Sequence, residues 1–290
     1  MSSARIELLP VNEDSVKLSI FKSQGSDSNH CISKGLCLGL RTPMKRRSIS
    51  LTLALIAGTL FTVSLHAAGA EKPSAPLPSK RTMPDSIVIQ KPVGAAHQLI
   101  LLFHGVGANA QDMVPVGKQF AAKFPTAMVV SLEGLQPSDF GQGRQWFSVA
   151  GITEENRPAR VAASMPAFKS MVQELQKVSG VSAEKTTLIG FSQGSIMILE
   201  STQTKPVLAG HVIAFSGRLA SAPVVAPAGV AVHLIHGDAD PVISVDSSRI
   251  AAKQLHALGA NMSLDVEPGM GHGINARMLT VALDKLADQK

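Results

Sequence analysis

From residue 86 onward the chain alternates short apolar runs with longer amphipathic ones. Ser86 to Gln90 and Gln98 to Phe103 read as strands, and the second is apolar almost throughout, the pattern of a strand buried on both faces. A helix is expected around Val116 to Phe124 and a third strand at Ala127 to Leu132. After a long glycine-containing loop, Glu133 to Glu155, a helix is predicted from Asn156, a residue suited to an N-cap, with Pro158 in its first turn. Val161, Met165, Phe168, Val172 and Leu175 recur at steps of three and four and give that helix a core-facing stripe, which Pro166 is expected to kink. Strand 186 to 190, a helix from Gln193 to Gln203, strands His211 to Phe215 and Val230 to His236, helix Val245 to Leu258, strand Asn261 to Val266 and a helix from Ile274 complete the pattern. Such alternation predicts one α/β domain over residues 85–290, a mostly parallel sheet with helices on both faces.

The N-terminal part reads differently. Residues 1–43 are polar without a sustained period, and no fold is assigned to them. Lys45, Arg46 and Arg47 then precede an apolar run from Ile49 to Leu65, followed by Ala68-Gly69-Ala70. This is the layout of a secretory signal peptide over residues 44–70, with translation expected to start at Met44 and the protein expected to be exported to the periplasm. An uncleaved membrane anchor is the competing reading, because about 17 apolar residues is the lower limit for crossing a bilayer. If the segment is unused, the protein stays in the cytoplasm. Residues 71–84, with Pro73, Pro76, Pro78 and Pro84, read as an extended linker.

Charge and composition narrow the function classes. A sequence pI near 9.4 invites a nucleic-acid partner. However, residues 1–70 carry 8 basic and 4 acidic side chains, leaving 19 and 17 for the rest, so the excess belongs mostly to the extension. The body lacks the basic stripe of a nucleic-acid binder. Both cysteines, Cys31 and Cys37, also lie in the extension, which removes disulfide and thiolate chemistry from the body. No His/Glu spacing for a metal and no glycine-rich nucleotide loop appears, so neither metal nor cofactor is expected.

The candidate chemistry centres on Gly190-Phe191-Ser192-Gln193-Gly194, a buried strand running into G-x-S-x-G and then an apolar helix. The motif alone is a weak signal, but the strand-to-helix context is the one that exposes a nucleophilic serine, here Ser192. A serine hydroxyl is a poor nucleophile without a base, and the base needs an acid to fix its tautomer. Two loops after later strands supply them: His236-Gly237-Asp238-Ala239-Asp240-Pro241, and Gly269-Met270-Gly271-His272-Gly273. In an open α/β sheet these loops share one edge. Ser192, Asp240 and His272 therefore follow the Ser, Asp, His chain order of an α/β-hydrolase. Asp238 is the rival acid and is assigned to shaping the turn. The oxyanion donors are expected to be the amides of Gln193 and Val106, the latter in the glycine-rich loop His104-Gly105-Val106-Gly107. His104 is expected to hold that loop rather than act as a base.

These motifs resemble the phospholipase/carboxylesterase family, the branch that includes acyl-protein thioesterases. Arg144-Gln145-Trp146-Phe147-Ser148-Val149 and Gly151-Ile152-Thr153-Glu154-Glu155-Asn156-Arg157 look more specifically like bacterial YpfH-type predicted esterases. The resemblance covers about residues 86–290, and residues 1–80 have no counterpart in it. It implies a serine carboxylesterase on a single-domain α/β-hydrolase fold, without metal or cofactor, acting on a small-molecule ester.

Only Ser216 to Gly229 lies where a lid is usually inserted, which leaves no room for a cap domain. The pocket is expected to be open and to favour short- to medium-chain acyl esters. Trp146 and Phe147, with Phe140, are the candidate pocket walls, the alternative being that Trp146 plugs the core. Thioesterase or lysophospholipase activity is the neighbouring alternative, and a non-catalytic binding protein on the same scaffold the remote one. The oligomeric state is not legible.

Overall fold

The computed structural model of the chain describes residues 5–10, 16–21 and 86–288. The signal-like segment 44–70, the linker 71–84 and both cysteines lie outside the described residues. Within residues 1–43, where no element is expected, Arg5–Pro10 and Val16–Phe21 pair as antiparallel strands. The alternation of Ile6 and Leu8, and of Val16, Leu18 and Ile20, with polar neighbours is the short period-two signal that permits it.

The main domain carries a sheet of seven strands: β1 (Ser86–Gln90), β2 (Gln98–Phe103), β3 (Ala127–Leu132), β4 (Thr186–Phe191), β5 (His211–Phe215), β6 (Ala231–Gly237) and β7 (Met262–Glu267). Their order across the sheet is β7-β6-β5-β4-β2-β3-β1, and every neighbouring pair is parallel except β1 with β3. Residues 91–97 are too few for a helical crossover, so β1 cannot lie parallel beside β2 and instead forms the antiparallel edge.

Among the described residues five α-helices cover the faces: α1 (Val114–Lys123), α2 (Arg157–Ser179), α3 (Gln193–Ser201), α4 (Val245–Ala257) and α5 (Ala276–Ala287). Because successive strand residues point to opposite faces, the near-continuous apolar strands feed two cores at once. On one side Leu99, Leu101, Phe103, Leu188 and Leu234 pack with Phe168, Val172, Met197 and Leu255 of α2, α3 and α4. On the other, Ile100, Leu102, Ile189, Phe191 and Phe215 pack with Phe120 of α1 and Met278, Leu279 and Ala282 of α5. The mostly parallel α/β architecture expected from the sequence is the one observed.

Local signals explain where the helices begin and end. Asn109 closes a capping box with Asp112 at the 3-10 turn Ala110–Met113 that leads into α1. Ser244 and Asn275 cap α4 and α5 by accepting from the amides of Asp246 and Met278. Gly180, at φ 72°, stops α2 in the left-handed region. Asn156 does occupy the N-cap of α2, but its side chain makes no capping bond. Its Oδ1 instead accepts from the Thr153 amide at 2.9 Å, closing the preceding turn. α2 runs unbroken through Pro166.

The long loop after β3 has structure of its own. Gln136–Pro137 and Arg144–Gln145 form a short antiparallel pair. The Asp139 carboxylate gathers its distal half, accepting from Ser148 Oγ at 2.8 Å and from the Val149 and Ala150 amides at 2.6 and 2.9 Å.

Candidate active site

Ser192 sits between the last residue of β4 and the first of α3, with φ 52° and ψ −114°, a backbone conformation that non-glycine residues rarely adopt. Its amide donates to the Phe215 carbonyl of β5 at 3.0 Å, which ties the strained turn to the sheet. The flanking glycines are required by contact rather than by torsion. A methyl on Gly190 would meet the Ser195 amide nitrogen at 2.5 Å, and one on Gly194 would overlap the Phe103 carbonyl. Strand and helix thus cross too closely for any side chain at either position.

His272 Nε2 lies 2.9 Å from Ser192 Oγ, and His272 Nδ1 lies 2.6 Å from Asp240 Oδ2. Asp240 is reached from the end of β6 and His272 from the end of β7. The two loops are laced together: the Ala239 amide donates to the Met270 carbonyl at 3.0 Å, and the Gly269 amide donates to Asp238 Oδ1 at 2.6 Å. Asp238 therefore shapes the turn, as the sequence argues. The Phe191 ring packs against the His272 imidazole with centroids 5.0 Å apart. Ser192 and His272 are 4% and 6% exposed, so the three side chains interact in a largely dry setting where their hydrogen bonds are strengthened.

Burial works to raise the Asp240 pKa, but hydrogen bonds from His236 and His272, the His272 charge and the Ile243 amide together hold it well below the usual carboxylate range. Asp240 is thus an anion at neutral pH. An anion facing Nδ1 requires the proton there, which leaves Nε2 free to accept from Ser192 Oγ–H.

The loop after β2 crosses directly over Ser192. A methyl on Gly105 would stand 3.3 Å from Ser192 Cβ. His104 holds this loop: its Nε2 accepts from the Gly134 amide at 2.9 Å and its Nδ1 donates to the Gly105 carbonyl at 2.7 Å. The Gly107 amide donates to the Arg144 carbonyl at 2.8 Å, so the loop after β3 supports it as well. The amides of Val106 and Gln193, the two expected oxyanion donors, have no acceptor among the described residues.

Trp146 and Phe147 are not pocket walls. They are 0% and 2% exposed and belong to the core beside Phe103 and Phe168. Trp146 packs edge-on to Phe103 and Phe168 with centroids 5.3 and 5.8 Å away, and its Nε1–H donates to the His104 carbonyl at 2.8 Å. Its backbone amide donates to Gln193 Oε1 at 2.8 Å, while Gln193 Nε2 donates to the Phe147 carbonyl at 2.7 Å. One residue therefore braces both proposed oxyanion arms, the His104 loop and Gln193. A large aromatic with one polar group is drawn inward wherever that group finds a partner, and here it does. Phe140, 42% exposed, is the one ring of this loop that meets solvent. The carboxamide of Gln193 was not legible as a clamp, because its partners are main-chain atoms 46 and 47 residues away.

Among the described residues no group of three or more His, Cys, Asp or Glu side chains is arranged to hold a metal ion. A family profile described as Phospholipase/Carboxylesterase matches residues 84–289, a span that includes every residue of this site. The chain belongs to the phospholipase/carboxylesterase family. Esterase YpfH of Escherichia coli K12 is 51% identical over 202 residues, covering 70% of this chain and 87% of that protein. Acyl-protein thioesterase 1 of Neurospora crassa is 28% identical over 49% of this chain and 66% of its own length. The crystal structure of esterase PE8 superposes with a TM-score of 0.64 at 28% identity, covering 71% of this chain and 98% of that one. The fold and family expected from the motifs are thus shown, and with them an enzyme of the carboxylesterase class of hydrolases.

Proposed function

We propose that this member of the phospholipase/carboxylesterase family is a serine esterase that hydrolyses short- to medium-chain acyl esters through an acyl-Ser192 intermediate. The observation that carries the reading is the continuous hydrogen-bonded chain Ser192 Oγ, His272, Asp240, with links of 2.9 and 2.6 Å. His272 Nε2 takes the Ser192 proton as Oγ attacks the ester carbonyl. The Val106 and Gln193 amides hold the oxyanion of the tetrahedral intermediate. Collapse breaks the bond to the alcohol, which leaves with the proton from His272. A water then gives its proton to His272, adds to the acyl carbon and releases the carboxylic acid, and Ser192 recovers its proton. Asp240 orients the ring and steadies the imidazolium throughout.

Hydrolysis of p-nitrophenyl acetate, butyrate and octanoate by the purified protein and its Ser192→Ala variant tests this. Turnover that disappears in the variant is expected; equal rates in both refute a serine mechanism. The acyl-protein thioesterase among the relatives favours one second reading, a thioester substrate. Oxygen and sulfur esters of one acyl group, compared at equal concentration, separate the two. The basic, apolar and small-residue succession over residues 44–70 supports export to the periplasm. N-terminal sequencing of protein taken from cells tests that, and a mature chain retaining residues 45–70 would refute cleavage.

A further inference from the structure

Asp240 is held by more than its partner in the relay. Its Oδ1 accepts from the amides of Val242 and Ile243 at 2.8 and 2.9 Å. Its Oδ2 accepts from His272 Nδ1 at 2.6 Å and also faces His236 Nε2 at 3.1 Å. His236 is the second-last residue of β6, completely buried, and its ring has no route to a substrate.

The proton on that ring can be placed. His236 Nε2 lies 2.8 Å from the Ile243 carbonyl oxygen, which only accepts, so Nε2 carries a hydrogen shared between Ile243 and Asp240. In the neutral ring Nδ1 is then the acceptor, and Ser248 Oγ stands 2.7 Å from it. The Ser248 hydroxyl has one proton and a second acceptor, the Gly217 carbonyl, only at 3.4 Å. One imidazole thereby pins three things to the rigid end of β6: the acid, the far end of the acid's loop, and the first turn of α4.

We propose that His236 is a positioning residue of this esterase, acting through Asp240: it fixes the carboxylate so that Oδ2 meets His272 Nδ1 in the orientation proton transfer needs. The proposal rests on the reading of Asp240 as the group that orients His272. With His236 gone, the Oδ2 oxygen keeps a single donor and the carboxylate is free to turn about the two backbone amides. The base would then spend less time aligned with Ser192 Oγ.

The test is a double-mutant cycle on p-nitrophenyl butyrate hydrolysis. His236→Phe, which keeps a ring but no nitrogen, is expected to lower kcat by roughly 10- to 100-fold, the scale of sub-ångström misplacement of a reacting group, with little change in KM. His236→Gln, whose amide can offer an N–H near the lost Nε2, should recover most of the rate. In an Asp240→Asn background His236→Phe should cost almost nothing further in kcat, although its effect on melting temperature persists. A merely structural role predicts the same fold-loss in both backgrounds, and that result, or an unchanged kcat in His236→Phe, overturns the proposal while leaving the triad intact. An Asp240→Asn variant with full kcat would overturn the triad reading itself. Should His236→Phe not fold, His236→Leu, which likewise has no donor for Asp240 Oδ2, takes its place in the cycle, and a kcat equal to that of the unmodified protein overturns the proposal.

Discussion

Replacing Trp146 by phenylalanine separates two roles for the loop after β3. The indole is fully buried, and its Nε1–H is bonded to the His104 carbonyl at 2.8 Å. The phenyl ring cannot donate, so the carbonyl loses that bond in a dry environment, at a cost of about 1 to 3 kcal/mol. Contraction from indole to phenyl also withdraws two ring carbons from contact with Phe103 and Phe168, worth about 0.8 kcal/mol each before any cavity is counted. Together these give roughly 2 to 5 kcal/mol, or a fall in melting temperature of about 5 to 15 °C for a domain of this size.

The kinetic expectation follows from the same bond. The His104 loop carries the Val106 amide, and loss of a whole oxyanion donor typically costs about 10² to 10³ in kcat. A loosened donor should cost less, about tenfold, and by the same factor for acetate, butyrate and octanoate, because the oxyanion is common to all three. A pocket wall behaves otherwise, changing the ratio between short and long acyl chains. The assay is kcat/KM on the three p-nitrophenyl esters beside a thermal melt. A melting temperature that falls while acetate turnover stays intact and octanoate turnover collapses would refute the bracing role.

Two further perturbations address the acid and base loops and the far end of the sheet. A methyl on Gly237 would overlap the Met270 carbonyl and stand 2.8 Å from the Gly271 oxygen, immediately before His272. Gly237→Ala should therefore destabilise by about 1 to 3 kcal/mol and depress kcat through a displaced His272, and a variant with unaltered kcat would show that the loop has slack. Burial, reinforced by the charges of Lys285 and His211 and opposed by Asp265, lowers the His233 pKa from 6.5 to about 4. Between those values the unfolded chain binds a proton that the folded one does not, so stability present above pH 6.5 is lost as pH falls toward 4, by at most about 3 kcal/mol. Urea melts of His233→Asn should show a flatter slope across that interval, and an unchanged slope would assign the acid sensitivity to other groups.

Much of the fold was legible because it depends on burial, which a one-dimensional pattern records. Gln98–Phe103 and Thr186–Phe191 read as strands because both their faces are covered, and α5 because Met278, Leu279, Ala282 and Leu286 share a face. The order of Ser192, Asp240 and His272 was legible for a topological reason: parallel strands deliver all their following loops to one edge. What failed to show were contacts between a side chain and distant backbone. Asn156 stands at a helix start, yet its carboxamide is engaged by Thr153. Trp146 in a long loop reads equally as wall or plug, and the decision is made by the His104 carbonyl, 42 residues away in sequence. The paired strands Arg5–Pro10 and Val16–Phe21 hid within a polar stretch whose period is only a few residues long.

The same distinction bears on how the site holds its geometry. Ser192, Asp240, His272 and Val106 each follow a different strand, so the sheet sets their spacing only to the accuracy of four loops. The remaining precision comes from polar groups, most of them buried, that join one loop to another: Trp146 to His104 and Gln193, His104 to Gly134, His236 to Asp240 and Ser248, and, nearer the surface, Ala239 to Met270. Each such bond spans the gap between elements that the hydrophobic cores fix independently. Apolar core residues, by contrast, are replaceable by others of similar volume at a cost usually below about 1.5 kcal/mol. Substitutions that strand a cross-loop acceptor should therefore cost more activity per unit of lost stability than substitutions in either core, because the bonds they break lie between the groups proposed to react.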